Sequence, residues 1–511
     1  MGKILLYQSS LVNALVRLNK TKPHFVIIEE GNQAYTVNEL YDYALHLAKG
    51  MAKKGLKQHS RVVIAMPPSF LFLAYIIACT MNAATIVLID PEMGRENYLS
   101  KLKQINPQFA VLDKRLLLIQ EHPIIKFLAL KFKGNIPSFP HIKGLTYFTD
   151  NTYWPILKSC HTALEINKLG KKCEAEWQVV DEKNDAFIVY TSGTLAIPKG
   201  VVHSYESFNA SINDLSKVFD FNGLRIGASL PHFVFLAIAC QATAVILPSL
   251  KSYEKKLAFI KDNKIEVLFG PPSDFKGLIE YSKQSHIFLP STLKYMLLGS
   301  APVLPNFLKQ LIEVANSKTA IFCIYGMTEH LFTAYVDARE KVNHTYRHDW
   351  LGAFVQSVEY KVENDGELLI KGPQLFKHYL HLNSKADFHA TGDLVKVQDS
   401  QLFLTGRKKN MLIRRNFNIY PELYEQTIMK INGVNEAVMI GLYDETLNDE
   451  KIILVVDGNI EKQKLMRLLN NGEFSIDKEA LPDAIMFMSV PHSGRQSKVN
   501  RNALIEKIKH K

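Results

Sequence analysis

Residues 190–201 read Tyr190-Thr-Ser-Gly-Thr-Leu-Ala-Ile-Pro-Lys-Gly-Val201, and this stretch decides the reading of the chain. Three aliphatic hydroxyls, two glycines and a lysine lie between two apolar flanks. Phe187–Tyr190 reads as a short buried strand, and a helix is expected to start at Tyr205. Small hydroxyl residues beside Gly193 offer side-chain and backbone donors to a polyphosphate, and Lys199 adds a point charge. Pro198 stiffens the loop and Gly200 permits a turn. An ordinary surface turn has a similar composition, so the stretch needs support from elsewhere in the chain.

The spacing differs from the P-loop pattern, and no Gly-x-Gly-x-x-Gly follows a strand. Four further segments stand in order behind it: Leu298-Gly-Ser-Ala-Pro302, Tyr325-Gly-Met-Thr-Glu329, Thr391-Gly-Asp393, and Gly406-Arg-Lys-Lys409 followed by Asn418-Ile-Tyr-Pro421. Lys498-Val-Asn-Arg501 closes the series. Together these segments resemble the signature of the acyl-adenylating (AMP-binding) superfamily, which contains acyl-CoA synthetases, peptide-synthetase adenylation domains and luciferases. The resemblance covers nearly the whole chain and is strongest to an acyl-CoA synthetase.

That resemblance implies an enzyme, an AMP-forming acid–thiol ligase. ATP and a small carboxylic acid would give acyl-AMP and pyrophosphate, and the acyl group would pass to CoA. Thr191, Ser192, Gly193, Thr194 and Lys199 would cradle the β- and γ-phosphates. Ser300, Ala301 and Tyr325 would border the adenine, and Thr328 would touch the α-phosphate. Glu329 would hold Mg²⁺, a cation that keeps waters and borrows phosphate oxygens. Asp393 would accept the ribose hydroxyls, Arg407 would support ribose or phosphate, and Lys498 would bridge the acid and the α-phosphate. Lys409 would be the hinge.

The chain departs from the family pattern at Leu195 and Ala196, where Thr and Gly are usual, and at Ser497, where Gly precedes the lysine. Arg415 and Asn416 stand where a glycine pair commonly lets a pantetheine arm approach. These departures keep two alternatives open. One is a ligase that hands its acyl group to a carrier-protein phosphopantetheine. The other is a non-catalytic nucleotide- or acyl-binding relative.

Strand and helix signals alternate along the chain. Thr36 is a plausible N-cap for a helix running to Lys53, and Arg61–Met66 is a strand stopped by Pro67-Pro68. Phe109–Leu112, Val267–Gly270, Tyr295–Leu298 and Ala320–Ile324 read as further strands. An α/β fold is expected, with mostly parallel sheets covered by helices over residues 1–408 and a small mobile α+β domain over 409–511. In such sheets ligands gather at the carboxyl ends of strands, where the loops at 191, 299 and 325 are expected to meet.

Composition excludes several classes. The net charge of +11 lacks the basic, aromatic-interleaved stripe of a nucleic-acid binder and reads as a solvated surface that also attracts anionic substrates. Five cysteines without a Cys-x-x-Cys pair point to reduced thiols in a cytoplasmic protein. The N-terminus has no signal-peptide layout. Leu71–Ile89 is nearly uncharged, but Thr80, Asn82 and Thr85 interrupt it, so a buried helix over 69–80 and a strand over 85–89 are expected instead of a membrane span. Near Leu230–Ala239 no Asp or Glu stands ready for a substrate ammonium. Phe233, Val234, Phe235, Leu236 and Ile238 are expected to line an apolar pocket for a fatty or aryl acid, with His232 a weak candidate beside them.

Overall fold

The computed structural model describes residues 10–89, 95–116, 145–150, 160–173, 181–191, 199–228, 231–300, 303, 305–343, 349–382, 387–407, 412–415, 417–419, 421–429, 431–446, 448–471, 474, 476–493, 498–499 and 501–509. Among them, two large sheets pack through helices, and smaller sheets follow Leu412.

The first sheet has eight strands among the described residues. From one edge the order is His378–Tyr379, Lys199–Ser204, Asp185–Thr191, Thr85–Leu88, Arg61–Ala65, Phe109–Leu112, Thr146–Thr149 and Cys160–Thr162. The six strands from Asp185–Thr191 onward are parallel, and the first two are antiparallel to their neighbours. Apolar runs such as Arg-Val-Val-Ile-Ala over Arg61–Ala65 suit a sheet covered on both faces.

The second sheet has thirteen strands. Its parallel half contains Val26–Glu30, Thr243–Ile246, Arg225–Ala228, Val267–Gly270, Tyr295–Leu298 and Ala320–Met327. From Ala320–Met327 onward each pairing is antiparallel, through His330–Asp337, Asp349–Phe354, Gln401–Arg407, His389–Gln398, Glu367–Lys371 and Glu359–Val362. The expectation of mostly parallel sheets holds for one half of this sheet only. The reason is local: the chain returns from Met327 to His330 in a tight hairpin, with no helix to carry it across.

Local sequence accounts for the helix starts. Thr36 caps Val37–Lys53 in a reciprocal capping box with Glu39. Ser69 caps Phe70–Met81, and every residue of that helix except Leu71 is buried. The apolar stretch beyond residue 70 is therefore a core helix and a core strand. Among the described residues no helix is long and apolar enough to cross a membrane. Ser204 caps Tyr205–Val218, the expected helix.

The main core lies where these helices meet. Phe235 packs against Phe72, Phe187 and Phe208, with ring centroids 6.4, 5.8 and 5.5 Å away. Val234, Leu236 and Ile238 belong to the same cluster and are fully or almost fully buried. These four side chains are thus core packing, contrary to the expected substrate pocket. Within the helix Pro231–Ala239, Val234 to Ile238 are all buried and Ala239 is exposed. The side chains of His232 and Phe233 lie outside the described residues. Cys79, Cys240 and Cys323 are buried, and Cys160 and Cys173 partly so.

Beyond Leu412 a three-stranded sheet, Val434–Asp444, Asp449–Gly458 and Ala484–Phe487, carries its own packing. Its two apolar clusters contain no residue before Leu412.

Close approach of two helices fixes one corner of the larger region. A Cβ on Gly170 would fall 1.8 Å from the His46 carbonyl oxygen, and one on Gly50 would fall 2.2 Å from that of Ile166. Neither obstacle is a side chain that can turn away. Gly170→Ala is expected to destabilise the protein by about 3 kcal/mol, the upper range for overpacking. The check is the urea midpoint by circular dichroism; an unchanged midpoint would show that the helices separate freely.

Candidate active site

Lys199 opens the strand Lys199–Ser204, and register pairs it with Thr191 across a hairpin. The expected strand–turn–helix is therefore a strand–hairpin–strand–helix. Ser192, Gly193, Thr194, Leu195 and Ala196 lie outside the described residues. The Lys199 ammonium sits 4.8 Å from the centre of the Tyr379 ring. The Tyr379 hydroxyl donates to Glu329 Oε1 at 2.8 Å. Glu329 itself lies in the turn between Ala320–Met327 and His330–Asp337 and is only 7% exposed. Its carbonyl accepts from the Phe376 N–H at 2.8 Å.

Burial lifts the Glu329 carboxyl above its ordinary value, opposed by the Tyr379 hydrogen bond and the Lys199 charge. His389 stands on the other side of Tyr379, ring centroids 6.2 Å apart. Burial, then the Lys199 charge, pushes this histidine down to about 4. It is a neutral ring at neutral pH and adds no cation to the cleft.

His389 begins the strand that carries Asp393. The Tyr325 hydroxyl donates to Asp393 Oδ2 at 2.7 Å, so the third and fourth motifs touch. The Thr391-Gly-Asp393 turn is tied at each residue. The Thr391 hydroxyl donates to the Leu368 carbonyl at 2.8 Å, and the Gly392 N–H to Glu367 Oε1 at 2.9 Å. The Asp393 N–H donates to the Thr391 hydroxyl at 3.1 Å. Gly392 has φ of 77°, a conformation that favours glycine. Register sets Arg407 opposite Asp393. A Cβ on Gly299 would come 3.3 Å from the Ile324 carbonyl, which brings Ser300 alongside Tyr325. Tyr325 is inside the strand Ala320–Met327, not in a loop at its end as expected.

Buried polar groups support the turn from beneath. His203 Nε2 lies 2.8 Å from the Thr328 carbonyl, which fixes the proton on that nitrogen, and Nδ1 faces the Ser207 hydroxyl at 3.2 Å. Asp214 accepts from Gln374 Nε2 at 2.6 Å and from the Ser357 hydroxyl. Gln374 Oε1 in turn accepts the Phe332 N–H at 3.2 Å.

The structure thus joins Lys199 to Glu329 through Tyr379, and Tyr325 to Asp393, with Ser300 and Thr328 alongside. Of Thr191, Arg407 and Lys498 only the backbone is described; Ala301 and Lys409 lie outside the described residues. Tyr379, His203 and His389 were not singled out in the sequence. A tyrosine fifty residues from the glutamate it holds belongs to none of the quoted segments. A single carboxylate is too few for an all-protein metal cage, and among the described residues no cluster of three or more His, Cys, Asp or Glu forms one. It suits a hard cation that keeps waters and takes phosphate oxygens.

His330, next to Glu329, is fully buried; its Nδ1 is 3.0 Å from the Thr333 hydroxyl and its Nε2 has no hydrogen-bond partner. Burial pushes it down to about 4 from 6.5. The unfolded chain therefore binds this proton first, so stability falls as pH drops from about 6.5 to about 4 and levels off below. The contribution is about 3 kcal/mol at most. The thermal midpoint between pH 7 and 4.5 is expected to fall less steeply in His330→Leu than in the parent; equal slopes would refute the assignment.

The sequence model of the family described as AMP-binding enzyme matches residues 15–380. The 2-succinylbenzoate–CoA ligase of Geobacillus sp. (strain WCH70) is 25% identical over 468 residues, covering 86% of this chain and 86% of the relative. The fold is similar to that of o-succinylbenzoate CoA synthetase from Bacillus subtilis, solved as a double mutant with a product analogue (TM-score 0.76, 19% identity, 97% of this chain and 98% of that one). The same synthetase with ATP and magnesium ion aligns with a TM-score of 0.64 at 19% identity, over 96% of this chain and 99% of that one. The amide bond synthetase McbA from Marinactinospora thermotolerans aligns with a TM-score of 0.79 at 16% identity, over 97% and 98%. These matches bear out the expected α/β fold with its C-terminal domain and the expected class, an AMP-forming acid–thiol ligase. The chain belongs to the AMP-binding enzyme family.

Proposed function

We propose that this enzyme activates an aryl carboxylic acid of the 2-succinylbenzoate type as acyl-AMP and then transfers the acyl group to CoA. One observation carries the reading: a lysine ammonium and a buried carboxylate face each other across Tyr379, beside a second carboxylate held by Tyr325. Opposite charges held apart by one tyrosine suit a substrate that brings both phosphate oxygens and a cation. The relatives named 2-succinylbenzoate–CoA ligase favour an aryl over a fatty acid.

The chemistry follows from the charges. A substrate carboxylate oxygen attacks the α-phosphorus of ATP, the bond to the bridging oxygen breaks, and pyrophosphate leaves. Two anions must approach, so the site has to supply positive charge in a fixed array. Lys199, with Thr191, Ser192, Gly193 and Thr194, holds the β- and γ-phosphates. Glu329 holds Mg²⁺, which screens the triphosphate when bound; a neighbour of the same fold has been solved with ATP and magnesium ion. Thr328 lies at the α-phosphate. Ser300, Ala301 and Tyr325 border the adenine. Asp393, fixed by Tyr325, receives the ribose hydroxyls, with Arg407 beside it. Lys498 bridges the acid and the α-phosphate.

In the second step a thiol sulfur attacks the acyl carbon, loses its proton, and AMP departs. Residues 409–511 form the mobile domain that changes place between the steps, hinged at Lys409. The self-contained packing beyond Leu412 supports that division. Arg415 adopts φ of 47°, the left-handed conformation that the family's glycine there would take, and its N–H donates to Asp449 at 3.1 Å. A bulky side chain thus stands at a backbone conformation that favours glycine. This keeps a carrier-protein phosphopantetheine as the alternative acceptor.

Pyrophosphate exchange across a panel of aryl and fatty acids tests the first step. An aryl dicarboxylate is expected to exchange best, and adding CoA is expected to give its thioester. Exchange with no acid would leave only nucleotide binding. Lys498→Ala is expected to lower exchange at least a hundredfold, as loss of a transition-state donor does. It should spare thioester formation from supplied acyl-AMP; equal loss of both would count against the two-pose assignment.

A further inference from the structure

We propose that Tyr379 is a positioning residue with two duties: its hydroxyl selects which oxygen of Glu329 is offered to the metal, and its ring keeps Lys199 from collapsing onto that carboxylate. The inference rests on the reading of Glu329 and Lys199 as cation- and phosphate-binding groups.

Backbone placement of Tyr379 is tight. His378 and Tyr379 form a two-residue strand paired with Val202 and Val201. The Lys377 N–H donates to the Val202 carbonyl and the Leu380 N–H to the Gly200 carbonyl, both at 2.7 Å. A Cβ on Gly200 would lie 3.0 Å from Leu380 Cβ, so glycine lets this edge strand come close. Tyr379 is thereby locked beside Lys199, two residues from its strand partner Val201. Phe376, in the same segment, is bonded through its N–H to the Glu329 carbonyl. One short stretch therefore grips Glu329 at its backbone and at its side chain.

The ring has no freedom to turn away. Phe376 and His389 stand on it with centroids 4.7 and 6.2 Å distant. Its hydroxyl engages Oε1 of Glu329, and Oε2 is the oxygen assigned to the cation. The Lys199 ammonium rests over the ring, and among the described residues no ion pair within 4.0 Å joins Lys199 to Glu329. Without the ring between them, a direct Lys199–Glu329 ion pair is the competing arrangement. Such a pair would consume the charge meant for phosphate and the oxygen meant for the cation. A π face attracts the ammonium more weakly than a carboxylate does, so phosphate can draw it away.

Two substitutions separate the duties. Tyr379→Phe keeps the ring and removes the hydroxyl. Calorimetric ATP titration at stepped magnesium concentrations is expected to show the magnesium needed for half-maximal affinity rising about tenfold, as for loss of a residue that orients a metal ligand. Magnesium-free ATP affinity should stay within about twofold, since the Lys199 contact is retained. The acid limb of the exchange rate should move to higher pH, because Glu329 loses the hydrogen bond that favours its charged form. Tyr379→Leu should add a loss of magnesium-free ATP affinity. Unchanged magnesium dependence and pH profile in Tyr379→Phe would overturn the proposal, as would a Tyr379→Leu no different from it. If Tyr379→Leu fails to fold, Tyr379→Phe alone decides. Glu329→Gln separates the levels: if it leaves the magnesium dependence intact, the metal reading of Glu329 is at fault, not the role of Tyr379.

Discussion

A carboxylate removed from water must be stabilised by what surrounds it, and Glu329 sets that demand at the centre of this protein. Burial raises its carboxyl above the ordinary value, while a tyrosine hydroxyl, its own backbone N–H and a nearby ammonium favour the charged form. The two side-chain partners are distant in sequence, Lys199 from one hairpin and Tyr379 from an edge strand. Meeting them requires the eight-stranded sheet to end in antiparallel strands and the thirteen-stranded sheet to turn back at Met327. The departures from parallel architecture are therefore concentrated where the charges have to meet.

The second carboxylate is managed differently. Asp393 is tethered by Tyr325 and by a glycine turn whose every residue has a backbone or side-chain partner. Glu329 is held by the Tyr379 hydroxyl and its own backbone N–H; Asp393 is held by Tyr325 and by the bonds that fix its backbone. A group meant for a cation needs spare coordination, while one meant for hydroxyl donors needs a fixed direction. The two environments match those separate demands.

Much of this was legible in the residues. Thr36 announced a capped helix, and the structure adds Glu39, one turn on, as the second partner of a capping box. Pro67 and Pro68 stopped the strand at Ala65, since proline cannot donate to the ladder. Tyr325 and Asp393 were singled out because contiguous motifs carried them, and the structure joins them by a hydrogen bond. Tyr379 was not legible, since the contact that matters crosses from one sheet to the turn of another and leaves no spacing signal. Lys199 and Gly200 were read as the end of a loop because Pro198 and Gly200 dominate the local chemistry, yet cross-strand pairing puts both in a strand. Val234 and Phe235 misled for the opposite reason: an all-apolar helix looks the same from sequence whether it lines a pocket or fills a core.

The buried cysteines acquire a meaning in this setting. An acyl adenylate is a mixed anhydride, and any thiolate within reach would be acylated in place of the intended acceptor. Burial pushes Cys240 and Cys323 up to about 12 and Cys79 higher still, so these sulfurs stay protonated as well as sequestered. The protein thus withholds these three interior nucleophiles from the electrophile it is proposed to make.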